Sequence, residues 1–192
     1  PVIILGLVSV LSNILAVQNI RKVNSNATVI TDNHMVSISK LHDIQTATND
    51  IHELALSHII ATQYEVKISI VESINQKEEM LEASLAEYES YIIGDGQGAY
   101  KQLLSDYENL KLAARNVVAY SANSKTSDAY ACANGDLATY AQAMAADMDA
   151  LNDIIDTETE SAKNAFKAVY KTSFTMNMIT ILVSTVTLLI VV

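Results

Sequence analysis

The chain has 192 residues and a formal net charge of −10 at pH 7, with five Gly and a single Pro, at position 1. So few turn formers exclude a sandwich, a barrel or an α/β fold and leave a small number of long helices. The acidic balance excludes a nucleic-acid partner, which needs a basic stripe to neutralise phosphates. The lone Cys132 excludes an internal disulfide.

The charges are confined to the middle, since no Asp, Glu, Lys or Arg precedes Arg21 or follows Lys171. The first apolar run, VIILGLVSVLSNILAV (Val2 to Val17), is closed by Gln18, Asn19, Arg21 and Lys22. Crossing about 30 Å of hydrocarbon takes about 20 apolar residues. The run is slightly short and begins at the first residue, so it reads as the end of a cut span. A signal peptide would show a small-x-small site around Ala16 and a basic leading segment, and neither is present. Residues 1–19 are therefore expected to form a first transmembrane helix.

From Ile20 the apolar positions alternate three and four apart: Ile20, Val23, Ala27, Ile30, His34, Ser37, Leu41, Ile44, Thr48, Ile51, Ala55 and His58. That is the seam of a packed helix. No Gly or Pro interrupts it, so the first helix is expected to run unbroken out of the membrane, about 69 Å from Gln18 to Gln63. A turn near Tyr64–Lys67 is marked by no turn residue. The second helix carries Val71, Ile74, Glu78, Leu81, Leu85, Tyr88 and Ile92, and stops at Gly94-Asp95-Gly96-Gln97-Gly98. That stretch lacks the Gly-Lys-Ser/Thr of a phosphate loop and reads as a turn. The third helix carries Leu103, Tyr107, Leu110, Ala114, Val117 and Ser121. Asn134-Gly135-Asp136 reads as the next turn, with Asp136 as N-cap. The fourth carries Leu137, Ala141, Met144, Met148, Leu151, Ile155, Glu158, Ala162, Ala165 and Val169.

Lys163, Lys167 and Lys171 form a basic stripe on this last helix. It leads into the charge-free run FTMNMITILVSTVTLLIVV (Phe174 to Val192), so residues 172–192 are expected to form a second transmembrane helix. The expected fold is all-α: an antiparallel up-down-up-down four-helix bundle over residues 20–171, with helices 20–63, 67–93, 98–133 and 136–171, whose first and last helices continue into the two spans. The Gly94–Gly98 turn then lies near the membrane and the other two turns at the far tip.

This layout resembles the sensory half of bacterial methyl-accepting chemotaxis receptors. The stretch GDLATYAQAMAADMDALNDII (residues 135–155), a small polar turn, an alanine-rich helix and a Leu-Asn-acidic-apolar step leading to Ala162 and Tyr170, is similar to that family's fourth helix. The resemblance implies a multi-pass protein of the cell membrane with the bundle outside the cytoplasm. It also implies a homodimer paired through the first helix, and a ligand site at the membrane-distal end that drives a helix displacement into a cytoplasmic signalling domain beyond Val192. Sensor kinases and cyclases carry the same input domain. A membrane-anchored helical structural or interaction protein is the alternative, and no enzyme is expected. The family's aspartate sensors clamp carboxylates with first-helix arginines, but no Lys or Arg lies between Lys40 and Lys67 here. An aspartate receptor is therefore not expected.

The four histidines, His34, His42, His52 and His58, are spaced by 8, 10 and 6 residues rather than the four a helical metal pair requires. No metal, cofactor or catalytic group is expected. His34 and His58 fall on seam positions, where burial disfavours the imidazolium. His52 and His58, with Thr48 below them, are the substitutes for the missing arginines. Counting depth from a turn at Asn134–Asp136 adds Tyr130, Thr139, Tyr140 and Gln142 as the rest of a ligand-binding cluster. Ile20, Ala27, His34, Leu41 and Thr48 are the expected dimer seam. Arg115 is expected to pair with Glu87 or Asp153 at similar depth. The expected partners are membrane lipid, a second copy of the chain, and a small-molecule or protein ligand.

Overall fold

The computed structural model describes residues 2–28 and 34–191, without the side chains of residues 2–5, 7–9, 11, 13, 24, 26–28, 188, 190 and 191. No strand occurs among the described residues. The helices are α1 (Val2–Thr28), α2 (Met35–Ile60), α3 (Tyr64–Tyr88), α4 (Gln97–Ala122), α5 (Thr126–Cys132) and α6 (Ala138–Val191). A 3-10 turn, Glu89–Tyr91, follows α3, and a π-helical turn, Ala133–Leu137, joins α5 to α6. The chain divides into two compact units, Met35–Asp156 and Pro1–His34 with Thr157–Val192.

The Met35–Asp156 unit is a bundle of four antiparallel arms: α2, α3, α4 and the run from α5 into α6. Polar pairs show the direction of each arm. Lys40 meets Glu87 at 2.8 Å and Lys77 meets Asp50 at 2.7 Å, so α3 descends as α2 ascends. The Tyr100 hydroxyl donates to the Leu85 carbonyl at 2.9 Å and Arg115 Nη2 donates to Glu78 at 3.2 Å, so α4 runs against α3. Cys132 Sγ lies 3.7 Å from the Ala113 carbonyl, and Leu151 packs beside Gly96, so the last arm runs against α4. The solvent-accessible ion pairs among these, Lys40–Glu87 and Lys77–Asp50, are each worth about 0–1 kcal/mol. The burial of the seam dominates, at about 1.5–3 kcal/mol per large apolar side chain.

That seam is the three-and-four pattern read from the sequence. Leu41, Ile44, Thr48, Ile51, Ala55 and His58 of α2 are buried with Ile74, Leu81, Leu85 and Tyr88 of α3. Leu103, Tyr107, Leu110, Ala114 and Val117 of α4 and Met144, Met148, Leu151 and Ile155 of α6 complete the core. This core belongs to a single chain. Leu41 and Thr48, read as dimer-seam residues, are 2% and 0% exposed within it, so neither is available to a second copy. A seam packs against whichever apolar stripe is nearest, and here that is the chain's own. In the other unit, His34 is buried with its Nδ1 2.6 Å from Thr159 Oγ1, and Ile20 is exposed. The side chain of Ala27 lies outside the described residues.

Two turns differ from expectation. The first connection is Ala61–Gln63, just before the expected Tyr64–Lys67, which is already helical. Gln63 is extended, and its carbonyl accepts the Lys67 N–H at 3.1 Å. The second correction is larger. The third arm ends at Ala122, not at 133. Ser124 takes the left-handed conformation (φ 60°), its N–H bonding the Ser121 carbonyl at 3.2 Å and the Lys125 N–H bonding the Tyr120 carbonyl at 2.9 Å. This pair of bonds is a Schellman closure, usually built on glycine. Asn134-Gly135-Asp136 is no turn and Asp136 no N-cap there, because all three lie inside the π-helical turn and the helix runs on. The expected helices 98–133 and 136–171 are replaced accordingly.

Nothing lies within 4 Å of a Cβ built on Gly135. Gly135→Ala is therefore expected to stabilise the chain by about 0.5–1 kcal/mol, read as a rise in thermal midpoint. A loss would place a left-handed turn at residue 135 after all. The glycine-rich stretch is a true turn: Gly94 has φ 52°, and a Cβ on Gly96 would meet the Ile93 carbonyl at 3.0 Å.

Among the described residues no helix is long and apolar enough to cross a membrane. The spans expected at 1–19 and 172–192 rest on the sequence. The continuity expected from Gln18 to Gln63 includes residues 29–33, which lie outside the described residues.

Candidate ligand-binding site

The two connections that close one end of the bundle, Ala61–Gln63 and Asn123–Lys125, place a set of side chains together at this tip. His58, from the last turn of α2, is 2% exposed. Ser121, from the last turn of α4, donates its hydroxyl to the His58 carbonyl at 3.0 Å. Lys67, from the first turn of α3, crosses to α4 and donates to Ser121 Oγ at 2.9 Å and to the Ser121 carbonyl at 3.1 Å. The lysine therefore adds a second donor to the Ser121 carbonyl, which already accepts the Ser124 N–H at the end of α4.

Beside this knot lies a cavity of about 260 Å³, lined by His58, Tyr64, Lys67, Ile68, Val71, Glu72, Val118 and Ala122. A second cavity of about 210 Å³ shares Val71 and Val118 and reaches the Glu78–Arg115 pair. His58 Nδ1 and Glu78 Oε1 are both buried without a hydrogen-bond partner. Such orphans are rare in folded proteins, and each calls for an explanation.

Burial pushes the His58 pKa below its ordinary value, and the nearby Lys67 charge adds to the effect. A lowered folded pKa means the unfolded chain takes up the proton first as pH falls. The stability due to His58 is complete above its unfolded value of about 6.5 and is lost below it. Between pH 7.5 and pH 5.5 the parent is expected to lose up to about 1.4 kcal/mol more than His58→Gln, measured by thermal melting of the full chain. Equal losses would show that His58 stays charged or exposed.

Of the cluster expected from the sequence, only His58 lines this cavity. Thr48 is fully buried ten residues below His58, about 15 Å along the helix. Its hydroxyl donates to the Ile44 carbonyl at 2.9 Å and lies 4.0 Å from Met144 Sδ. His52 is half-buried, and its Nε2 has no partner. Tyr130 is exposed on α5. Thr139 is exposed and bonds the Gly135 carbonyl of its own helix at 2.7 Å. Tyr140 is half-buried against the core, and Gln142 is exposed. The last arm begins at Thr126 rather than at Asn134–Asp136, so residues 139–142 sit well below the tip.

Arg115 pairs with Glu78 rather than with Glu87, which Lys40 holds, or with Asp153. The sequence reading missed Lys67 and Ser121 as site residues. A signal existed, because Lys67 is the only Lys or Arg between Lys40 and Lys77. No group of three or more His, Cys, Asp or Glu side chains that could hold a metal ion occurs among the described residues.

A family model described as a four-helix-bundle sensory module for signal transduction matches residues 2–170. No curated protein matches the chain.

Proposed function

From the premise that this chain belongs to the family of four-helix-bundle sensory modules for signal transduction, we propose that it is the input region of a transmembrane chemoreceptor. The charge-free runs at residues 2–17 and 174–192 anchor it in the cell membrane, and the bundle lies outside the cytoplasm. A ligand occupies the tip cavity, and the fourth arm passes the response to a cytoplasmic signalling domain. A second copy packs along exposed apolar residues of α2, among them Met35 and Ile38.

The observation that carries this reading is α6, which is one helix from Ala138 to Val191. Val118 and Ala122 of the cavity wall belong to α4, and α4 packs on the buried Ala129 and Ala133 that lead into α6. A ligand that shifts α4 therefore shifts the start of α6. Receptor helices transmit displacements of about 1–2 Å in this way.

The placement is tested with Asn123→Cys in a Cys132→Ser background. Asn123 is exposed in the tip connection. In intact cells a membrane-impermeant maleimide is expected to label it fully. Labelling only after lysis would overturn an external bundle.

A further inference from the structure

Resting on that receptor reading, we propose that the bundle also senses external pH, through a carboxyl clasp of Asp106 on α4 and Asp147 on α6 that draws the two helices together while it shares a proton and presses them apart once the proton leaves. Asp106 is 9% exposed, and Gln102 Nε2 donates to its Oδ2 at 3.1 Å. Asp147 is half-buried, and its Oδ2 is closed off from solvent with no donor reaching it. A carboxylate only accepts, so two of them facing each other cannot bond. One proton changes that, because the Asp147 carboxyl then donates to the Asp106 carboxylate. An asparagine at 147 would make the same bond at every pH, whereas an aspartate makes it conditional.

Burial first, and Asp106 second, raise the Asp147 pKa from 3.8 to about 6. The other charges of the bundle are turned elsewhere. No ionisable residue lies three or four positions from Asp106 on α4 or from Asp147 on α6. Tyr107 turns to α3, where it, Lys111 and Arg115 hold Glu82 and Glu78 against the other flank of α4. α2 meets α6 through Thr48 and Met144, and turns His42, Asp43, Asp50 and Glu53 to grooves it shares with α3. Lys40 is held by Glu87 of α3. His52 lies one turn beyond Thr48, on the side away from Asp147. Because α6 is one helix to Val191, a change in its spacing from α4 is a change in the helix that carries the response.

The test uses the full chain in lipid nanodiscs, with spin labels on Ser105→Cys and Ala146→Cys in a Cys132→Ser background. Both positions are exposed beside the pair. The label distance is expected to lengthen between pH 5.5 and pH 7.5, and to stay at its short, low-pH value in Asp147→Asn. Infrared difference spectra read the protonated carboxyl itself. Its band is expected to have a midpoint near pH 6 in the parent and to be absent from Asp147→Asn. Asp106→Asn removes the opposing charge and is expected to lower that midpoint by at least about half a unit. A distance that ignores pH or moves equally in Asp147→Asn, or a midpoint unmoved by Asp106→Asn, would overturn the proposal.

A fusion of the chain to a chemoreceptor signalling half separates this inference from the reading beneath it. Its output is expected to switch between external pH 5.5 and pH 7.5, and Asp147→Asn to hold it at the low-pH output. A response to dissolved compounds with none to pH, or a pH response that persists in Asp147→Asn, would overturn the proton stimulus and leave the receptor standing. No response to any stimulus, with the clasp still opening in nanodiscs, would sink the receptor reading and leave the clasp.

Discussion

Leu110→Ala is expected to destabilise the chain by about 2–5 kcal/mol, while Leu112→Ala, two residues along the same helix, costs about 0.5 kcal/mol or less. Leu110 is fully buried between Tyr107 and Ala114 on the core stripe of α4, and Leu112 is 60% exposed. Truncating Leu110 removes its transfer free energy and leaves a void among side chains fixed by three other arms. Its surroundings resist collapse. Tyr107, one turn away, is tied by its hydroxyl to Glu82 at 3.0 Å, and Lys111 pairs with the same carboxylate. Burial and that hydrogen bond together hold the Tyr107 phenol well above its ordinary pKa. Urea unfolding of the two variants reads the contrast directly. Similar losses at both positions would show that α4 is rotated about its axis.

Asp147→Asn is expected to stabilise the chain by about 1–2 kcal/mol at pH 7.5, with the gain fading to nothing near pH 4. Asp147 of α6 faces Asp106 of α4, which is 9% exposed and accepts a bond from Gln102 Nε2 at 3.1 Å. Burial first, and the Asp106 carboxylate second, push the Asp147 pKa up from 3.8 to about 6. A raised carboxyl pKa means the folded chain holds its proton where the unfolded chain has lost it. Stability due to this group is therefore present below about pH 4 and is lost as pH rises through 6. The full shift corresponds to roughly 3 kcal/mol, which partial exposure reduces to about 1–2 kcal/mol. Paired melts of parent and variant at pH 4 and pH 7.5 isolate the effect from every other titrating group. A gain of the same size at both values would assign it to packing rather than to charge.

His58 and Asp147 thus pull stability in opposite directions as pH changes. His58 loses stability below about 6.5 as the unfolded chain takes up its proton. Asp147 loses it between about 4 and 6 as pH rises. Neither is an exposed surface charge, and that is why each outweighs an ion pair such as Lys40–Glu87.

The periodicity of the sequence by itself determined that this is a helical bundle and which side chains form its core. A seam repeating every 3.5 residues depends only on local helix geometry, so Leu41, Ile44, Ile51, Leu81, Leu110 and Leu151 could be placed inside from their spacing. Where the arms reverse was decided by the tertiary structure. Ser124 adopts a left-handed backbone that residues with a Cβ disfavour, and its closure ends α4 at Ala122. Asn134-Gly135-Asp136 carries the stronger local turn signal, yet a helix absorbs it by widening for one turn, because Ala133 and Leu137 on either side are fully buried. Moving that one reversal shifts the depth of the whole fourth arm. His58 therefore meets Lys67 and Ser121 rather than Thr139, Tyr140 and Gln142. Neighbours within a helix follow from spacing, but neighbours across helices follow from where the turns fall, and packing free energy rather than local propensity selected those turns.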